Sequence, residues 1–385
     1  MRLLLNVFIT ISVLGCQGNS TYDKLRTFNI CDPLSITELK LSDLGFGEIE
    51  YIPLETRQNC LIKDITNIEF GSDHFIVQHL NNIYKFNKDG TFICSIGEVG
   101  RGPGEYLYAH DIGINKNNNQ IFIADGWTRK MNVYDEGGTF LRSFESPKNS
   151  TSFILFNELI LFYCTNYISN IDTSFWLLST DGVVLKGYKN KYPWDYNVKN
   201  GTAILKENLF FNFNGRNLNK EIYSDTVYLF ENENFIPDYL ICSGEKLLTP
   251  AARSSFKPES LLEQYYSQER LLEFRDFIYF EFGIYKSFKY LRFSLIGSRT
   301  SKIQYIIKTE DGIKNDLDGG PSIKPIAVKD GEVLIAWIDA IELKKYIESK
   351  DFMKSKPQHA EKKKKLEMLA NSLKVTDNPV LILVN

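Results

Sequence analysis

The chain has 385 residues and is 14% aromatic, with 27 Phe and 21 Tyr against 12 Pro. That length can bury a sizeable core, and ring-rich composition favours pleated, half-buried strands over a fibrous or disordered chain. A formal net charge of −3 leaves no basic excess to neutralise phosphates, which argues against nucleic acid as a partner.

Met1 and Arg2 form a short positive start, and Leu3–Leu14 follows as a mostly apolar stretch broken by Asn6, Thr10 and Ser12. The run is too short for a permanent bilayer span and reads as a signal-peptide core over residues 1–15. It ends in Val13-Leu14-Gly15-Cys16, which resembles the bacterial lipobox, although Leu14 is bulky for its place. Cys16 is the expected lipid-attachment residue. Acyl chains contributing ~0.8 kcal/mol per buried methylene would hold the protein on a membrane. The remaining cysteines, Cys31, Cys60, Cys94, Cys164 and Cys242, match no zinc or CxxC spacing. Their odd number argues against a full disulfide framework, leaving room for a single bridge in an oxidising compartment.

Residues 16–45 read as a tether and lead-in, and residues 46–385 as one β domain. A repeat runs through the latter: Phe86–Ile93, Tyr134–Leu141 and Leu178–Leu185 each place a glycine (Gly90, Gly138, Gly182) in a turn between two strand-like runs. Phe230–Ile236 is a weaker fourth copy with Asn234 at the turn. Each copy predicts a hairpin whose turn needs a positive φ. Two further strand-like runs precede it; in the second unit they are Asp111–Ile114 and Gln120–Ala124. Four strands in about 48 residues is the size of a propeller blade, and blades must stack and close to bury their faces. The fold expected is an all-β propeller of six blades, with seven as the alternative. Residues 258–274 read as a helical insertion and 341–374 as one or two helices, with Leu366, Leu369, Ala370 and Leu373 on one face. The apolar Val380–Val384 and the alternating Glu48–Leu54 are expected to pair antiparallel in the blade containing Glu332–Trp337 and so close the ring.

The linker Gly97-Glu98-Val99-Gly100-Arg101-Gly102-Pro103-Gly104-Glu105-Tyr106, the run Asn315–Gly320 and the terminal Asp377–Leu381 are similar to segments of six-bladed β-propeller lipoproteins of Bacteroidetes, a group related in pattern to NHL-repeat propellers. The resemblance implies an envelope lipoprotein of periplasmic or surface address, anchored to the outer membrane, and supplies no catalytic residues.

The glycine-rich linker lacks the Lys-Ser/Thr pair or following helix that a phosphate cradle needs. No Gly-x-Ser-x-Gly elbow occurs, and none of His74, His79, His110 and His359 has metal-ligand spacing to another. No catalytic set, metal or cofactor is therefore expected. Candidate ligand-binding residues are Arg101, His110, Asp111, Asp125, Trp127 and Arg129, since aromatic and Arg groups on propeller loops suit glycans or peptides. Trp176, Trp194, Tyr196 and Arg216 fall in comparable places. Lys354, Lys356 and Lys362–Lys365 read as a solvated helix face. Asp225-Thr226-Val227 resembles the short O-glycosylation signal of exported Bacteroidetes proteins, at Thr226. The expected role is a monomeric, membrane-anchored binding or scaffold protein. The alternative is a lactonase- or lyase-type propeller with a metal in its channel.

Overall fold

The computed structural model describes residues 25–31, 38–166, 171–195, 206–255 and 257–385. Six sheets of four antiparallel strands account for nearly all of its strands. Blade one comprises Asn67–Phe70, His74–His79, Asn82–Asn87 and Phe92–Ser95, and blade two Ala109–Ile114, Ile121–Asp125, Lys130–Tyr134 and Phe140–Glu145. Blade three runs through Ser150–Phe156, Leu159–Cys164, Thr173–Ser179 and Val184–Lys189. Blade four has Asn208–Phe213, Arg216–Glu221, Thr226–Glu231 and Asn234–Cys242, and blade five Ser267–Phe274, Phe277–Lys286, Lys289–Ser298 and Gln304–Lys308. Blade six is assembled from both ends of the chain: Ala327–Lys329, Val333–Ile338, Val380–Val384 and, outermost, Ile49–Pro53.

The expected closure is realised. Ile49 pairs with Val384 and Pro53 with Val380, antiparallel, while the other edge of the C-terminal strand pairs Leu334 with Val384 and Ile338 with Val380. Pro53, which has no amide to donate, sits on the outer edge as such a residue must.

The ring is held by apolar layers between consecutive blades. Ile76 and Ile83 meet Ile112 and Ile123 between blades one and two. Phe122 and Val133 meet Phe153 and Phe162 between two and three, and Phe175 and Leu177 meet Phe230 between three and four. Val227 and Ile241 meet Phe280 and Leu295 between four and five, and Tyr279 and Ile296 meet Leu334 and Ile382 between five and six. Ile335, Leu381 and Ile52 meet Ile68, Phe75 and Val77 across the seam that joins six to one. No blade could bury both faces alone, so stacking and closure are one event.

The three glycine turns of the repeat lie in the left-handed region, with φ of 86° at Gly90, 83° at Gly138 and 86° at Gly182. A Cβ on Gly90 would stand 2.2 Å from the Pro53 carbonyl, so this turn also carries the approach of blade six. In the fourth copy the positive φ falls on Asn232 (48°) and Glu233 (56°), not on Asn234, which begins the return strand.

Three expectations are corrected. Residues 16–45 are not wholly a tether: Arg26–Asn29 forms a fifth strand, parallel to the outer edge of blade four, and Leu39, Leu41 and Leu44 are buried between blades five and six. Residues 258–274 are helical only over Pro258–Gln264; Ser267–Phe274 is the innermost strand of blade five, paired with Phe277–Gly283. The insertion into blade six holds three helices, Ala340–Ile347, Lys350–Lys354 and Ala360–Ser372. Their shared core buries Leu343, Phe352, Leu366 and Ala370 on Val380. Lys362 pairs with Glu48, and Lys363 donates to the Phe352 and Ser355 carbonyls, which end the middle helix. The basic run thus serves the surface of this helical cap.

Candidate functional site: the central channel and its mouth

The innermost strands of all six blades line a central cavity of about 1910 Å³. It runs from the loops where these strands begin, at Tyr108, Asn149 and Lys206, to the turns where they end, at Asn115–Asn117, Asn157–Glu158 and Asn212–Gly215. Its wall mixes neutral hydrogen-bonding groups, among them Asn67, Asn81, Asn149 and Thr151, with charged ones, among them Glu69, Asp111, Lys206, Glu269 and Arg270.

Five of the six candidate ligand residues, His110, Asp111, Asp125, Trp127 and Arg129, line this cavity, all from blade two. Arg101 does not. It sits exposed in the linker between blades one and two, whose glycines fold onto Glu105: the Gly102 amide donates to Glu105 at 2.6 Å. The structure thus places Arg101 apart from the other five candidates.

Asp125 lines the cavity from within its own loop. It is buried, and its carboxylate accepts from the Leu107, Tyr108, Trp127 and Thr128 amides and the Thr128 hydroxyl, at 2.7–3.3 Å. Burial alone would raise its pKa, but these donors hold it below the ordinary value. With its lone pairs in use, Asp125 shapes the loop. Gly126 follows because the turn lies flat on its neighbours: a Cβ there would come within 3.1 Å of the Tyr108 ring.

What the turn presents is Trp127, 76% exposed at the channel mouth. Tyr108 stands beside it, 41% exposed, its ring 5.6 Å from that of His110. Leu80, from the equivalent loop of blade one, is 63% exposed and lines the same mouth. Arg129 completes the turn with φ of 55°, its amide bonded to the Asp125 carbonyl at 3.0 Å. Partial desolvation lowers the His110 pKa, opposed by a backbone contact with Thr151.

Below the mouth, Asp111 joins three blades. Asn67 of blade one donates to its Oδ1 at 3.2 Å, and the Phe153 amide of blade three to its Oδ2 at 3.0 Å. Desolvation pushes Asp111 up to about 7 against the Phe153 and Ile112 amides. Glu69 of blade one is pushed up to about 7 by desolvation and then by the charge of Asp111. Glu69 was not singled out from the sequence. Its only signal is a carboxylate in the middle of an innermost strand, Asn67–Phe70.

Other expectations are settled by packing. Trp194 is buried, donates to the Asn166 carbonyl at 2.7 Å and lies 4.2 Å under the Arg253 guanidinium. Trp176 packs between blades two and three, and Arg216 pairs with Asp238 and Glu273. Tyr196 and the lipid-attachment candidate Cys16 lie outside the described residues. Thr226, the glycosylation candidate, is buried at the start of Thr226–Glu231 and paired with Leu240. Among the described residues, the one grouping of three His, Cys, Asp or Glu side chains with ligand atoms close together is Asp73, His74 and Glu136, and none of these lines the channel. They come from two blades, which is why histidine spacing in the sequence did not reveal them.

A closed six-bladed ring with an aromatic lip on one channel mouth defines the class: a β-propeller with a built concave surface along its axis. The chain belongs to the DUF4934 family, a domain of unknown function whose family model matches residues 25–385. No curated protein matches it. Among solved structures it is similar to a candidate exported protein of Bacteroides fragilis NCTC 9343, at 17% identity and TM-score 0.67, covering 93% of this chain and 98% of that one. It is also similar to a DUF4221 family member from Bacteroides vulgatus ATCC 8482, at 9% identity and TM-score 0.54, covering 88% and 98%. At these identities the likeness is one of fold.

Proposed function

We propose that the protein is a lipid-anchored, monomeric binding protein of the bacterial envelope that holds a neutral glycan at the blade-one and blade-two side of its channel mouth. The observation that carries this reading is the exposed Trp127 at the same mouth as Tyr108 and Leu80, where Asn81, Asn149 and Thr151 supply amide and hydroxyl groups. Flat apolar faces edged by neutral donors and acceptors suit the alternating CH faces and hydroxyls of a sugar chain. Arg129 and His110 add edge donors, and Asp111 with Glu69 beneath them supplies acceptors or, when protonated, donors.

The envelope address rests on the Leu3–Leu14 stretch ending at Cys16 and on the likeness to a candidate exported protein. No helix among the described residues is long and apolar enough to cross a membrane, so a lipid on Cys16 is the anchor proposed. Labelled fatty acid should enter the wild type and not Cys16→Ala; absence of label from both would refute the anchor.

Binding is tested by probing a glycan array and a peptide array with the mature protein and with Trp127→Ala. Retention on one class of neutral glycan, lost in the variant, supports the reading. Retention on peptides alone replaces the ligand class. The raised pair Glu69 and Asp111 favours one second reading, a channel enzyme using a carboxylic acid and a metal; stoichiometric metal that falls by half or more in Asp111→Asn would establish it over the binding role.

A further inference from the structure

The strand Arg26–Asn29 is held in fixed register on the edge of blade four, with Arg26 opposite Tyr239 and Asn29 opposite Cys242. Phe28 sets that register. It is fully buried, edge-on to Tyr239 with ring centroids 5.7 Å apart, and lies over Gly297 of blade five, where a Cβ would stand 2.4 Å from its ring. Ile30, also fully buried, donates its amide to the Cys242 carbonyl at 3.0 Å. Next, Asn29 accepts the Cys31 amide at 2.8 Å and turns the chain back toward the blade. The result is that Cys31 Sγ lies 3.9 Å from Cys242 Sγ, across 211 residues of sequence. Gly244, with φ of 59°, keeps the space open: a Cβ there would stand 2.7 Å from the Cys31 sulfur.

We infer that Cys31 and Cys242 are a disulfide pair that fastens the N-terminal strand to blade four under oxidising conditions. Cys31 is exposed, so an oxidant can reach it, whereas Cys60 and Cys164 are buried in other blades and Cys94 lies near the Gly137 carbonyl. The two sulfurs, 3.9 Å apart, have only to close to the ~2.05 Å of a bond. The step is thiol–disulfide exchange. A thiolate of the pair attacks the disulfide of a dithiol oxidase or of glutathione disulfide, giving a mixed disulfide and one released thiol. The second thiolate then displaces the other half. Both electrons and both protons leave on the oxidant, which ends as two thiols.

The bond has a mechanical role. A four-residue parallel edge pairing is a weak attachment by itself. Its N-terminal side leads toward the proposed anchor at Cys16, so a pull on the tether would peel this strand first. Cross-linking residues 31 and 242 stops that peeling at Cys31 and passes the load to blade four there. Occurrence of the bond in the cell rests on the envelope address proposed above, since cytosolic thiols stay reduced.

The test uses the chain without its signal peptide and with Cys16→Ala, leaving five cysteines, purified reduced and then equilibrated with glutathione disulfide. Denaturing alkylation without reductant should modify three cysteines, Cys60, Cys94 and Cys164, and all five after reduction; peptide mapping should show the 31–242 link. The oxidised protein should release its N-terminal segment under limited proteolysis several-fold more slowly than Cys31→Ser. Five alkylated cysteines after oxidation, or a link to a different partner, overturns the pair. A link that forms in vitro but is absent from the full chain in its native host overturns the envelope address and leaves the pairing intact.

Discussion

Leu381 offers the sharpest probe of ring closure. It is fully buried, with Ile52 opposite it on one side and Trp337 on the other. It packs into the layer where blade six meets Ile68, Phe75 and Val77 of blade one. Leu381→Ala removes apolar contacts and leaves a cavity, and ladder bonds on both edges keep the strand from collapsing into it. The cost therefore belongs in the upper part of the range for such changes, about 3–5 kcal/mol. A melting entropy of about 2.1 cal/mol/K per residue over ~340 residues is about 0.7 kcal/mol/K, so the midpoint should fall by about 4–7 °C. Met368→Ala, on a helix of the blade-six cap and 65% exposed, is the control and should move it by less than about 1 °C. Scanning calorimetry or urea titration reads both. Equal midpoints for Leu381→Ala and wild type would mean that the seam does not hold the ring together, and the closure account would fail.

Two further outcomes follow from the channel. Asp111 and Glu69, both raised to about 7, bind protons more tightly folded than unfolded, so their contribution is fully present below the unfolded carboxylate range and is lost as pH rises through about 7. Asp111→Asn should flatten the fall in melting temperature between pH 5 and 8; an unchanged pH profile would sink the assignment. Asp125→Ala strips five donors of their acceptor, which at roughly 1.5–3 kcal/mol per charged hydrogen bond, far from additive, implies a loss of a few kcal/mol. It should also shift the Trp127 emission, whereas Asp125→Asn should recover part of both; a variant with wild-type stability and emission would show that the carboxylate does not order the loop.

Closure and blade repeat were readable because they depend on local chemistry. A glycine between two strand-like runs marks a left-handed turn, and a five-residue apolar run at the chain end marks a buried strand. Gly90, Gly138, Gly182 and Val380–Val384 all behave accordingly. Ser267–Phe274 was read as helix because Leu271 and Leu272 sit among Gln, Glu and Arg; as an innermost strand it faces both the channel and the next blade, so period-2 alternation is lost. Of the candidate site, the aromatic turn at Trp127 was legible as a loop between strands. The meeting of Glu69 with Asp111 and the contact of Cys31 with Cys242 join residues of different blades or distant segments, and no spacing in one sequence encodes them.

The most direct measurement of the central claim compares the wild type with Trp127→Ala and Phe288→Ala for glycan binding, by array and then by fluorescence titration. Phe288 is 92% exposed in the corresponding loop of blade five, outside the channel lining, and controls for nonspecific adhesion to an exposed ring. Wild type and Phe288→Ala should bind the same neutral glycan with equal affinity, and Trp127→Ala should lose at least about tenfold, as removal of a central aromatic anchor does. Undiminished binding by Trp127→Ala, or an equal loss in Phe288→Ala, would contradict a ligand site at the channel mouth.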